Sequence, residues 1–170
     1  MPLRATAFPS CFIGVLPRYD GSLAELCDVP DGIGLNWFSP SYFHVTLCYL
    51  DWLTDDDAGA VRGILAAHLP LSVAEITLAG ELSVVGDERR RSLVAPAVAA
   101  AKLVTWRQDL TASLRAAGYT SAEPFQPHLT VARVGPGPLP NAPMTIAPLE
   151  LPVLTVGLFS GRAVFDSVTA

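Results

Sequence analysis

The sequence predicts an α+β fold built as a bilobal duplication, with two mostly antiparallel sheets and flanking helices around a central cleft. Three observations lead there. Segments that alternate apolar and polar residues interleave with segments of helical spacing. The order of elements repeats on either side of about residue 90. A short tetrad, His-apolar-Thr-apolar, occurs once in each half.

Taken in order, alternation and β-favouring residues place a first strand at Ala7 to Leu16, followed by a short amphipathic helical segment, Gly21 to Cys27, that ends before the Pro30-Asp31-Gly32 turn. Tyr42 to Leu50 reads as the second strand. Thr54-Asp55-Asp56-Asp57 supplies a cap and an acidic first turn for a helix that runs to about His68, with Val61, Ile64, Leu65 and His68 on one face and Pro70 closing it. Glu75 to Glu81 and Ser92 to Pro96 are strands, with Gly86-Asp87-Glu88-Arg89 as the hairpin turn. Leu103, Trp106, Leu110 and Leu114 line one stripe of a helix from about Val98 to Ala117, and Gly118 sits where a left-handed cap is usual. A strand at His128 to Val134, a Pro- and Gly-rich loop from Gly135 to Pro148, and closing strands at Leu151 to Phe159 and Arg162 to Phe165 complete the chain.

At 170 residues, 51 % hydrophobic and 16 % charged, the chain suits one domain over 1–170 with one core, and excludes a disordered or fibrous protein. No apolar run is long enough to span a membrane. Ala5 to Pro17, interrupted by Pro9 and Ser10, reads as a core strand and not a secretory signal, so a cytoplasmic monomer is expected. The formal charge of −5 argues against coating duplex DNA or an anionic membrane, so any anion must be gripped locally. Cys11, Cys27 and Cys48 show no metal-binding or redox spacing and read as buried thiols.

The repeated tetrad is His44-Val45-Thr46-Leu47 and His128-Leu129-Thr130-Val131, 84 residues apart. On a strand, side chains alternate, so each copy offers one imidazole and one hydroxyl to one face while its apolar residues enter the core. A lone His-x-Thr is an ordinary half-buried strand; a matched pair, using two of only three histidines, points to a site. Two imidazoles and two hydroxyls facing each other across a groove suit a phosphodiester. One imidazole takes a proton from water, the other protonates the departing oxygen, and the hydroxyls donate to the phosphoryl oxygens. That chemistry requires no metal and no cofactor. His68, at a helix C-terminus, is assigned a structural role.

At these residues the sequence resembles the 2H phosphoesterase superfamily, in its branch of 2′-5′ RNA ligase-like and 2′,3′-cyclic phosphodiesterases. The resemblance extends to Trp37 and Pro40, to Phe125-Gln126-Pro127-His128-Leu129-Thr130-Val131-Ala132-Arg133, and to Leu158-Phe159-Ser160. It implies a bilobal α+β fold and metal-independent phosphodiester cleavage, with His44 and His128 catalytic and Thr46 and Thr130 holding phosphate. The chain departs from the family pattern after the first tetrad, where Phe-Leu-Gly is common and this sequence reads Cys48-Tyr49-Leu50-Asp51. The helix usual after the second tetrad is replaced by the Gly135 to Pro148 loop.

Trp37, Phe38, Tyr42 and Phe43 before His44, and Phe125 before His128, offer faces on which a base can stack; Trp37, Tyr42 and Phe125 are the candidates for ligand contact, with core packing the competing use. Arg133 falls on the face opposite His128 if its strand is regular, and a bulge would turn it inward. The family often has Arg there, which implies phosphate support. Arg89-Arg90-Arg91 reads as a solvated hairpin tip or as a rim reaching a second phosphate. There is no G-x-S-x-G, H-E-x-x-H or phosphate-binding glycine loop. The expected activity is hydrolysis of a nucleoside 2′,3′-cyclic phosphate or related small phosphodiester, with a nucleotide or RNA end as partner. Degradation of a cyclic di- or oligonucleotide signal, of the viral anti-defence type, and non-catalytic nucleotide or RNA-end binding are the alternatives.

Overall fold

The computed structural model describes residues 7–121, 124–161 and 163–169. Ten strands and two helices follow in the order β1 (Ala7–Pro17), β2 (Cys27–Asp28), β3 (Leu35–Trp37), β4 (Val45–Thr54), α1 (Asp55–Ala67), β5 (Glu75–Glu81), β6 (Ser83–Val85), β7 (Ser92–Val98), α2 (Ala101–Ala116), β8 (His128–Val134), β9 (Thr145–Ser160) and β10 (Ala163–Thr169). This is the expected α+β class, and the strand pairings among the described residues are antiparallel.

The strands form a ring. β8 pairs β4, then β1, β9, β5 and β7 follow, and β7 returns to β8. The long β9 belongs to both sides: residues 145–152 pair β5 and residues 153–160 pair β1. At the opposite side the contact is slight, because β4 and β8 share a single pair, Val45 with Leu129. Beyond it β4 continues along β1, while β3 takes over the edge of β8 at Ala132 to Val134. That narrow junction is where the two tetrads lie.

The core fills the side of the junction away from the tetrads' polar groups. Val45, Leu47, Leu129 and Val131 are fully or almost fully buried, as are Val61 and Leu65 of α1 and Leu103, Leu110 and Leu114 of α2. Thr54 caps α1 as expected, its hydroxyl accepting from the Asp57 backbone N–H while the Asp57 carboxylate accepts from the Thr54 backbone N–H. The Thr54 hydroxyl, which donates to Asp57 Oδ2 at 2.7 Å, and then the Thr54 backbone N–H hold the Asp57 carboxyl below the usual carboxylate range. His68 ends α1, and its Nε2 is hydrogen-bonded to Ser113 Oγ of α2 at 2.9 Å while its carbonyl accepts from Trp106 Nε1 at 2.7 Å. The imidazole thus ties the two helices together, a structural role.

Four local expectations change. The segment Gly21 to Cys27 is a single 3₁₀ turn at Leu23–Glu25 followed by β2, because it buries only Leu23 and then pairs with β9. The second strand starts at Val45, after another 3₁₀ turn at Pro40–Tyr42, and runs on to Thr54. The second helix starts at Ala101, because Val98 still pairs with Thr77 of β5. The loop after Gly135 gives way to strand at Thr145: Pro152 sits where β9 changes partner and Pro148 in a register irregularity, positions where a missing N–H is tolerated. The strand expected to begin at Arg162 has its first residue outside the described residues.

Candidate active site

Antiparallel pairing of Val45 with Leu129 sets His44 beside Thr130 and Thr46 beside His128, the four side chains on one face and the two apolar partners on the other. The imidazoles occupy the diagonal of this square. Diagonal neighbours on adjacent strands lie about 7–8 Å apart, a gap that a tetrahedral phosphate bridges with a hydrogen bond of roughly 3 Å at each side.

Both rings are fixed in the same way. His44 Nδ1 lies 3.0 Å from the carbonyl of Tyr42, and His128 Nδ1 lies 2.9 Å from the carbonyl of Gln126. A carbonyl only accepts, so each Nδ1 carries the proton, and each neutral ring keeps its lone pair on Nε2. The surroundings then differ. Phe12 of β1 stacks on His44 at 4.9 Å between ring centres, and Phe159 of β9 stacks on Phe12 at 5.3 Å. Burial pushes the His44 imidazole below its ordinary value of 6.5, the bond to Tyr42 opposes this, and the charge of His128 adds to the lowering. His128 is exposed.

Phe12 can lie there because position 14 has no side chain. A Cβ on Gly14 would come within 2.9 Å of the Val45 carbonyl oxygen and 3.1 Å of the Phe12 ring. The first tetrad and its supporting ring therefore close onto Gly14 directly.

Each tetrad ends in a β-bulge. Ile13 pairs Cys48 and Gly14 pairs Thr46, which leaves Leu47 as the extra residue; Leu93 pairs Ala132 and Val94 pairs Thr130, which leaves Val131. Two consecutive residues are buried at each bulge, Leu47-Cys48 and Val131-Ala132, and the alternation then reverses. As a result Arg133 stands on the same face as His128 and Thr130. Its Nη1 donates to Ser92 Oγ at 2.8 Å, and its guanidinium lies 5.7 Å from the centre of the Phe38 ring. The same step brings Tyr49, 41 % exposed and paired with Phe12, to the site face of the first strand. Two residues on, Asp51 has φ of 65°, the left-handed conformation that glycine adopts most easily.

A cavity of about 300 Å³ opens at the His44 end, lined by His44, Thr130, Arg133, Ser92, Tyr42 and Phe38, with Phe12 and Phe159 among its apolar walls. Thr46 and His128 stand beside it. Of the aromatic candidates, Tyr42 lines the cavity and is 47 % exposed, whereas Trp37 and Phe125 pack against the core, Phe125 beneath the guanidinium of Arg107 at 4.2 Å. Arg91 of the basic run donates to the carbonyls of Gly135 and Gly137 and so pins the loop after β8. Phe12, Phe159 and Ser92 were not expected at the site: they come from other strands, and although the resemblance reaches Leu158-Phe159-Ser160, nothing local assigns any of the three to the cavity.

A family model described as LigT like Phosphoesterase matches residues 94–165, the stretch with the second tetrad. Among solved structures, TT0787 of Thermus thermophilus aligns over 94 % of this chain and 97 % of its own, with 17 % identity and a TM-score of 0.63. The E. coli LigT complexed with 3′-AMP aligns over 95 % and 98 %, with 16 % identity and a TM-score of 0.56, and the MHV ns2 PDE domain over 95 % and 99 %, with 18 % and 0.50. The chain shares the fold of these solved structures, and its second tetrad lies within the stretch that the family model matches. No curated protein sequence matches it. The family match covers one tetrad by sequence, and the strand register sets the first tetrad beside it.

Proposed function

We propose that the chain hydrolyses a nucleoside 2′,3′-cyclic phosphate or a related small phosphodiester with His44 and His128 as the acid–base pair. The observation that carries this is the diagonal placement of two imidazoles, each with Nδ1–H committed to a backbone carbonyl and Nε2 left to exchange a proton. His44, held below 6.5 by burial, is neutral at pH 7 and serves as the base that activates water. His128 protonates the leaving oxygen. Thr46 and Thr130 donate to the non-bridging oxygens, and Arg133 faces the negative charge that builds on them. Tyr42 and Phe38 offer ring faces within the cavity to a base. Neither proton transfer calls for a metal, so activity persists in a chelator.

A longer phosphodiester, such as a cyclic dinucleotide, is the second reading. It is favoured by the exposure of His128, which leaves that ring accessible to a larger substrate. The deciding experiment compares turnover of 2′,3′-cyclic AMP and of a cyclic dinucleotide by the wild type and by His44→Ala and His128→Ala. Turnover of the first substrate, lost in both variants, is expected. Preference for the dinucleotide selects the second reading. Tight nucleotide binding without product would make the protein a binder and end the catalytic proposal.

A further inference from the structure

Arg107 is a charged side chain on the apolar face of its helix. α2 turns Leu103, Trp106, Leu110 and Leu114 to the core, and Arg107 sits among them with 5 % of its surface exposed. A guanidinium at such a place is tolerated only where its donors are met and its charge is accommodated. Its Nε–H donates to the carbonyl of Leu47 at 2.7 Å, and its guanidinium lies over the ring of Phe125, 4.2 Å from the ring centre.

Those two contacts fall on the two tetrads. Leu47 is the bulged residue directly after Thr46. Phe125 directly precedes Gln126, whose carbonyl fixes the Nδ1–H of His128. One side chain therefore touches the backbone that ends the first tetrad and the segment that enters the second. It does so at a junction where the ladder gives little help, because β4 and β8 share only Val45 with Leu129.

We propose that Arg107 is a positioning residue that sets the separation and orientation of His44 relative to His128 by clamping Leu47 and Phe125 from beneath the site. This rests on the two-histidine reading above. A misplacement of about 1 Å costs as much as 10²-fold in rate, and a single-pair junction is where such a shift arises most easily.

The test uses Arg107→Met, which keeps the stem and removes the donor and the charge, with Arg107→Lys and Phe125→Leu alongside. Thermal melting, kcat and KM on 2′,3′-cyclic AMP, and the imidazole ¹⁵N signals of both histidines are measured on the whole chain. Expected for Arg107→Met is a loss of kcat on the order of 10²-fold, a KM within about threefold, and displaced signals of both rings; Arg107→Lys recovers part of each. A folded Arg107→Met with wild-type kcat and wild-type ring signals overturns the proposal, whatever its melting temperature. If Arg107→Met does not fold, Phe125→Leu decides on the same grounds: displaced His128 signals and a reduced kcat support the clamp, and wild-type values overturn it. A wild type without turnover, combined with displaced ring signals in Arg107→Met, would sink the phosphodiesterase reading and leave the clamp standing.

Discussion

The first tetrad and the second share a frame and differ in what surrounds it. Both imidazoles give Nδ1–H to the carbonyl two residues earlier, and both strands bulge at the tetrad's last residue, Leu47 or Val131. At the position five after each histidine, however, the first strand presents Tyr49 and the second Arg133. His44 is half-buried beneath Phe12 with its pKa lowered, and His128 stands in the open. Repetition thus supplies a symmetric pair of imidazoles, and asymmetry enters through single neighbours. Burial, to which a phenylalanine from another strand contributes, favours the neutral form of His44, and Arg133, just after a bulge, puts a cation at the cavity end.

The shared frame breaks first when an imidazole is removed. His44→Ala and His128→Ala each lower kcat by about 10²–10⁴-fold with melting temperatures close to wild type, and equal losses in the two would measure how far the symmetry extends. Thr46→Val and Thr130→Val each cost about 10²-fold in kcat, read in the same assay. The asymmetric neighbours come next. Arg133→Met, which removes the cation from the cavity end, lowers kcat/KM by about tenfold, roughly the worth of one charge-assisted hydrogen bond, whereas Tyr49→Phe at the equivalent place stays within about threefold; a larger effect at Tyr49 would reverse the assigned polarity. The smallest effect is on pH. Because His44 binds its proton less readily when folded than when unfolded, stability is unaffected by this group above 6.5 and falls as pH drops from 6.5 through its lowered value. The acid limb of kcat/KM has its midpoint below 6.5, and Phe12→Ala, which opens the ring to water, moves it up toward that value. An unmoved midpoint in Phe12→Ala would detach the lowering from burial.

Much of this frame is legible in the residues. The tetrads, the α1 cap at Thr54, the structural His68 and the apolar stripe of α2 follow from spacing and local chemistry, which is why they stand where the pattern puts them. The bulges do not. A strand that gains one residue keeps its composition and reverses its parity, so whether Arg133 faces the site depends on the pairing of Leu93 and Val94 with β8, which lies in a different segment. β9 reads as shorter than it is for a related reason: Pro148 and Pro152 look like breakers until the change of partner strand shows that their missing N–H groups fall where no bond is needed. Arg107 escapes the sequence because helical spacing marks apolar positions, and a buried cation looks like a surface residue until its contacts with Leu47 and Phe125 are seen.

The groups that orient the histidines are peptide carbonyls, at Tyr42 and Gln126. Many enzymes delegate that duty to a carboxylate side chain, which evolution or an experimenter can exchange and which a saturation library would flag. Here the tautomer is written into the main chain. Libraries covering every codon would recover the rings and the hydroxyls yet stay silent about what aligns them, and only an amide-to-ester replacement, made by chemical synthesis, could interrogate it.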